Sequence, residues 1–311
     1  MNSSSFQSSL SELRSLFGDR LQENVSMANY TTARVGGNAA AMLIAHTSQD
    51  LELAAAKLWE HGVPFHLIGS GSNVLVSDKG LQGVVIINRA RNVKIDMHHE
   101  PYSVWAESGA NLGAVARQAA LRGLSGLEWA ATIPGSVGGA VYGNAGAHGS
   151  DMNGSLMLAE ILHQNAGKQV WTVEQMAYSY RSSALKRNPG QAIILAAKMK
   201  LLADTPEAVQ GRMEANSAQR RRTQPPGASL GSMFKNPAAD YAGRLIEAAG
   251  LKGTRIGGVE ISSVHANFFV NNDQATASDI WKLIQLARTR VQEKFGVSLE
   301  LEVELLGEWD S

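Results

Sequence analysis

The sequence predicts an α+β protein with more than one domain. Three observations lead there. Strand candidates at Leu156–His163, Gln169–Val173 and Ala192–Met199 are β-branched and apolar, and they follow one another without the regular helix alternation of βαβ units. Helical patterns recur elsewhere along the chain. At 311 residues the chain is long enough for two or three domains.

Taken in order, the Ser-rich first nine residues read as frayed. Thr47–Glu60 reads as a helix: Asp50 follows Thr47 by three residues, Leu51, Ala54, Ala55 and Leu58 form one stripe, and Gly62 ends it. Val63–Ile68 and Gly83–Ile87 read as buried strands, and the polar stretch Asn88–Pro101 as a boundary. Val104–Glu107 opens a second unit, followed by a helix at Asn111–Arg122 with Leu112, Val115, Ala116 and Ala119 on one face. A helix starts at Thr205-Pro206-Glu207, with proline in its first turn, and runs to about Arg222 before Pro225. Tyr241–Ala249 is a short helix and Asn267–Val270 a strand. Ser278–Phe295 keeps the 3.6-residue period through Ile280, Leu283, Ile284, Ala287, Val291 and Phe295, the stripe of a core helix. Ser298–Leu306 reads as the last strand, with Leu299, Leu301, Val303 and Leu305 on one side and Glu300, Glu302 and Glu304 on the other.

Composition excludes several classes. Lys plus Arg and Asp plus Glu are both 28, so a generally basic nucleic-acid binder is ruled out. The Arg220-Arg221-Arg222 run is too short to argue for nucleic acid. The absence of cysteine removes disulfides, thiolate nucleophiles and cysteinyl cofactor links. The first 20 residues lack the apolar core of a signal peptide, and no run of about 18 apolar residues exists. A reducing cytoplasm fits, and monomer is the default.

Three groups carry chemistry. Gly69-Ser70-Gly71-Ser72-Asn73 follows a strand and offers backbone N–H groups with Ser and Asn side chains, a nest for phosphate oxygens or simply a tight turn. The third glycine of a Rossmann fingerprint is missing, and Val74-Leu75-Val76 looks like strand. The segment Ile133-Pro134-Gly135-Ser136-Val137-Gly138-Gly139-Ala140-Val141-Tyr142-Gly143-Asn144-Ala145-Gly146 reads as a permissive loop, either holding a cofactor or serving as a crossover. The third group is scattered: Tyr180-Arg181-Ser182-Ser183, Gly231-Ser232-Met233-Phe234-Lys235-Asn236-Pro237, and Glu302. An arginine can clamp a carboxylate, a serine can donate a proton, and a glutamate can orient either.

These motifs, with Asn29–Gly37, Gly126-Leu127-Glu128-Trp129 and Val264–Asn271, resemble the UDP-N-acetylenolpyruvoylglucosamine reductases across nearly the whole chain. The resemblance implies a two-subdomain FAD-binding fold of vanillyl-alcohol-oxidase type with a C-terminal α+β substrate domain. It divides the chain into 1–92 completed by 298–311, 93–208, and 209–297. The compact stretch between Tyr180 and Thr223 is similar to the family's shorter type, which lacks an inserted tyrosine loop. By the same resemblance, Ser232 is the proton donor, Arg181 the substrate-carboxylate arginine and Glu302 the catalytic glutamate, with Glu300 and Glu304 its nearest competitors. FAD is expected to be held non-covalently by Arg34, Gly69, Ser70, Gly71, Ser72, Asn73, Ile133, Pro134, Gly135, Ser136, Gly138, Gly139, Asn144, Ala145, Gly146 and His265. Tyr180, Arg181, Lys235 and Asn236 are expected to serve a UDP-sugar substrate, with NADPH as reductant and no metal. The competing readings are an oxidase or dehydrogenase on the same FAD fold, which leaves the Ser232, Arg181 and Glu302 motifs unexplained, and a flavin-free scaffold.

Overall fold

A five-stranded antiparallel sheet forms the largest layer, in the order Gly167–Thr172, Leu156–His163, Ala192–Lys200, Ser103–Glu107, Val93–Asp96. This computed structural model describes residues 3–309. The antiparallel ladder is what consecutive strands without crossover helices require. One of its two edge strands, Val93–Asp96, lies inside the stretch expected to be a polar boundary. Val93 and Ile95 pack against the core while Lys94 is exposed, so a four-residue alternation was hidden in polar surroundings.

The chain separates into two compact units. The first comprises Met1–Met42, Gly71–Val84 and Arg221–Ser311; the second comprises Leu43–Ser70 and Val85–Arg220. Asn38–Ala45 and Leu81–Asn88, neighbours in a four-stranded sheet, each carry the chain from one unit into the other. The core of the second unit gathers Ala106, Val115, Val137, Val141, Ile161 and Met199; that of the first gathers Leu75, Met233, Phe234, Leu245, Phe269 and Ile284.

Most expected helices form with the expected signals. Thr47 caps Ser48–Glu60 by accepting from the Asp50 N–H at 3.0 Å, and the buried residues are Leu51, Ala54, Ala55 and Leu58. Ala277–Phe295 buries Ile280, Leu283, Ile284, Ala287 and Val291, so its stripe belongs to the core. Asp78 covers its first turn, accepting from the N–H groups of Ala277 and Ser278 at 2.9 and 2.8 Å.

Three expectations need correction. The N-terminus is not frayed from its third residue onward: Ser3–Phe17 is a helix, anchored by buried Leu10, Leu13 and Phe17 at spacings of three and four. Met1 and Asn2 lie outside the described residues. The glycine segment is not all loop, because Val137–Gly143 is helical. Ser136 caps it, Val137, Ala140 and Val141 are buried, and Asn144 at φ 47° ends it; packing outweighs the poor helix propensity of glycine. The final strand is shorter than expected, Glu304–Leu306. Before it the chain bonds to a different neighbour, so no single ladder spans 298–306. Glu302 N–H donates to the Met233 carbonyl, and Glu304 N–H to the Asn73 carbonyl, both at 2.9 Å.

Candidate active site

The expected site residues fall into two sets, one in each unit. In the second unit the two glycine-rich segments adjoin. A side chain at Gly69 would collide with Ser136 Oγ, and one at Gly138 would lie 2.8 Å from Ser108 Cβ. The Ile133–Gly146 segment is held by backbone bonds: Leu112 N–H to the Gly135 carbonyl, Val137 N–H to Ala110 and Gly138 N–H to Ser108, at 3.0, 2.9 and 2.8 Å. Arg89 Nη1 donates to the Gly69 carbonyl at 2.9 Å. The receiving strand end is itself fixed by buried polar groups. The Glu107 carboxylate accepts from the N–H groups of Ser48 and Asn92, and the Asn88 amide donates to Ser108 Oγ at 2.7 Å.

Arg181 and Tyr180 belong to the same set. Arg181 sits at φ 54°, its guanidinium stacked 5.1 Å from the Tyr180 ring centre and donating to the carbonyls of Asn144 and Gly146 at 3.4 and 3.1 Å. Asn144 uses its side chain within the protein, donating to Asp151 and Ser179 and accepting from Asn153 N–H at 2.9 Å. Ser183 is fully buried and donates to the Tyr142 carbonyl at 2.6 Å. The Tyr180–Ser183 motif is thus tied to the far end of the glycine segment.

The first unit assembles the other set from four separated stretches. Met233 and Phe234 are buried, which draws Ser232–Lys235 into the core as an extended strip. On one side Ser232 bridges Phe268, and Met233 N–H donates to the Asn267 carbonyl at 2.8 Å. On the other side the strip receives Glu302 N–H at the Met233 carbonyl, and Lys235 N–H donates to the Glu300 carbonyl at 2.9 Å. Asn73 joins them, its amide donating to the Glu302 carbonyl at 3.1 Å. Ser232, Asn73 and Glu302, far apart in sequence, are therefore neighbours. Lys235 Nζ pairs with Glu300 at 3.3 Å, and the Asn236 side-chain oxygen Oδ1 accepts from Ala242 N–H at 3.1 Å.

Asn267, inside the Val264–Asn271 motif, has a role that the sequence does not announce. Its side chain accepts from Phe234 N–H at 2.9 Å and donates to the Phe234 carbonyl at 2.8 Å, replacing a strand partner. His265 lies against Phe268 with ring centres 5.0 Å apart, and burial, then the charge of Lys252, holds its imidazole below the ordinary value. Arg34 is exposed at φ 58°. Gly71, at φ 66°, lies so close to the Tyr30 carbonyl that a side chain there would clash with protein backbone.

Two family descriptions match separate spans of the chain. The family description "UDP-N-acetylenolpyruvoylglucosamine reductase, C-terminal domain" matches residues 223–306, and "FAD binding domain" matches 39–164. The UDP-N-acetylenolpyruvoylglucosamine reductase of Chloroflexus aggregans is 44% identical over 92% of this chain and 97% of its own. The chain belongs to the UDP-N-acetylenolpyruvoylglucosamine reductase family. The enzyme of that name from Halalkalibacterium halodurans is 41% identical over 95% of this chain and 97% of its own. The crystal structure of the Thermus caldophilus reductase has a TM-score of 0.79 at 36% identity, covering 93% of this chain and 99% of its own. The expected α+β class, with an FAD-binding part and a separate C-terminal part, stands on these matches.

As a family member the protein is an FAD-dependent oxidoreductase. The residues present suit that cofactor. The second unit brings together glycine backbone and Ser hydroxyls from two segments, a donor set for phosphate and hydroxyl groups. It also holds one buried hydroxyl, Thr132 Oγ1, with no hydrogen-bond partner among the described residues. The Tyr180–Ser183 motif lies outside both matched spans. Among the described residues no group of three or more His, Cys, Asp or Glu can hold a metal ion, and no helix is long and apolar enough to cross a membrane.

Proposed function

We propose that this enzyme reduces the enolpyruvyl group of UDP-N-acetylenolpyruvoylglucosamine to give UDP-N-acetylmuramate in peptidoglycan synthesis, with NADPH as the source of reducing equivalents. The three-part division inferred from sequence accompanies this reading: 1–92 with 298–311 and 93–208 hold the cofactor, and 209–297 takes the substrate. A cytoplasmic monomer suits a nucleotide-sugar substrate, and light scattering over a concentration series tests the assembly state. Non-covalent attachment is tested by acid or heat denaturation, which should release all of the flavin.

FAD, when bound, supplies the hydride that reaches C3 of the enolpyruvyl group. Negative charge then develops at C2 and spreads into the carboxylate as an enolate. The role of Arg181 is to attract that carboxylate, and its planar fork suits two parallel bonds. Glu302 acts through a hydrogen bond, because a bare carboxylate would repel the enolate. Ser232 gives its hydroxyl proton to C2, which balances the hydride gained at C3. Lys235, Asn236 and Tyr180 serve the substrate. Gly69–Asn73, Ile133–Pro134-Gly135-Ser136, Gly138, Gly139, Asn144–Gly146, Arg34 and His265 serve the cofactor.

The observation that carries this reading is the strip around Ser232, hydrogen-bonded through Met233 to Glu302 and thence to Asn73. An oxidase of the same superfold has no use for a serine acid beside a glutamate. The test separates the half-reactions by rapid-mixing absorbance at the flavin band. Ser232→Ala should leave reduction by NADPH nearly intact and slow reoxidation by the enolpyruvyl nucleotide about 10²-fold or more. Ser232→Cys should recover part of that loss. Unchanged reoxidation in Ser232→Ala would reject the assignment.

A further inference from the structure

Thr132 stands directly before the Ile133–Gly146 segment, inside the span matched as an FAD-binding domain. Its hydroxyl oxygen is buried and has no hydrogen-bond partner among the described residues. The backbone on either side is held: Ile133 N–H donates to the Ala130 carbonyl at 3.1 Å, and the Ala131 carbonyl accepts from Arg117 Nη1 at 3.0 Å. A buried hydroxyl without a partner is unfavourable, and valine has nearly the same shape without that cost. Three side-chain atoms among the described residues are buried in this way, and the other two, on Gln224 and Trp309, lie outside the FAD-binding span.

We infer that the Thr132 hydroxyl is a binding group for FAD, hydrogen-bonding a polar atom of the cofactor and so completing the set formed by the two glycine-rich segments. This rests on the assignment of Ile133–Gly146 to the cofactor. It adds a side-chain contact to a site otherwise composed mainly of backbone. It also predicts an opposed pair of effects that a packing role does not produce: removal of the hydroxyl weakens flavin binding and stabilises the chain without flavin.

The experiment uses the full chain with Thr132→Val and Thr132→Ser. Flavin affinity is measured by fluorescence titration of flavin-stripped protein and, independently, by flavin release from the holoenzyme on dilution. Thr132→Val should raise the Kd about tenfold, the equivalent of one hydrogen bond. It should also raise the melting temperature of the stripped chain by about 2–4 °C. Thr132→Ser, which keeps the hydroxyl, should stay within about threefold of the parent Kd. A parent-like Kd and release rate in Thr132→Val overturns the inference. So does a lowered melting temperature of the stripped variant, because the hydroxyl is then bonded within the protein. Gly138→Val separates the two levels. If it retains full flavin, the assignment of the segment has failed; if it loses flavin while Thr132→Val does not, only the Thr132 contact has.

Discussion

The two units present their candidate site residues in opposite ways. In the second unit a contiguous run, Ile133–Gly146, lies against Gly69, and the surface is made mostly by backbone held to Ser108, Ala110 and Leu112. In the first, four stretches around residues 73, 232–235, 267–268 and 300–304 are knitted side by side, and the buried anchors are side chains: Met233, Phe234 and Asn267. A backbone-built surface suits a ligand gripped by N–H groups, and tolerates no added Cβ. A surface assembled from distant strips places individual side chains, as proton transfer demands.

The largest effect should come from forcing a side chain into the backbone approach at Gly71. Gly71→Val combines a left-handed φ with a clash against the Tyr30 carbonyl. It should cost roughly 3–5 kcal/mol of stability, from strain and overpacking together. Urea unfolding read alongside flavin absorbance checks this. The constraint at Gly71 comes from protein backbone, so fold and flavin should be lost together. A variant with the parent urea midpoint and full flavin would show that the first unit tolerates what its geometry forbids.

Next is Asn267→Ala. It strands two buried backbone groups of Phe234 and should cost about 3 kcal/mol. The strip carrying Ser232 should loosen, so reoxidation by the enolpyruvyl nucleotide should slow more than reduction by NADPH. Equal slowing of both half-reactions would mean that Asn267 supports the fold alone. The counterpart in the second unit is milder. Ser136→Ala removes the cap that accepts from Gly139 N–H at 3.3 Å and should cost about 1 kcal/mol. Its measurable sign is weaker flavin retention on dilution, with the Ser232 half-reaction unchanged in protein reloaded with flavin.

This contrast also explains what could be read from sequence. Local signals were legible: Thr47 and Asn111 cap the helices they announce, and the stripe of Ala277–Phe295 is the buried one. The glycine motifs were legible as segments because their residues are contiguous. Their helix, Val137–Gly143, was not, since burial of Val137, Ala140 and Val141 is a tertiary effect. Val93–Asp96 is too short for its alternation to stand out. The neighbourhood of Ser232, Asn73 and Glu302 has no periodicity at all. It depends on long-range backbone bonds, and only the resemblance to a family joined those residues in advance.

The smallest effect concerns one histidine in each unit. Burial alone holds His66 below its ordinary value of 6.5, on the strand that leads into Gly69. Burial comes first for His265 too, but the charge of Lys252 adds to it. For both, the unfolded chain takes up a proton near pH 6.5 while the folded chain resists until a lower pH. Where the unfolded state binds more protons, stability falls as pH falls. Each histidine therefore has its full stabilising effect above about pH 6.5 and loses it as the pH drops towards its folded value. His66→Gln and His265→Gln should each flatten the decline in urea midpoint between pH 8 and pH 5. Salt should distinguish them, because screening weakens a Coulombic repulsion and leaves desolvation largely untouched. Raising the salt concentration should shrink the contribution of His265 and leave that of His66 in place. Equal salt sensitivity at the two positions would remove Lys252 from the account and leave burial as the common cause.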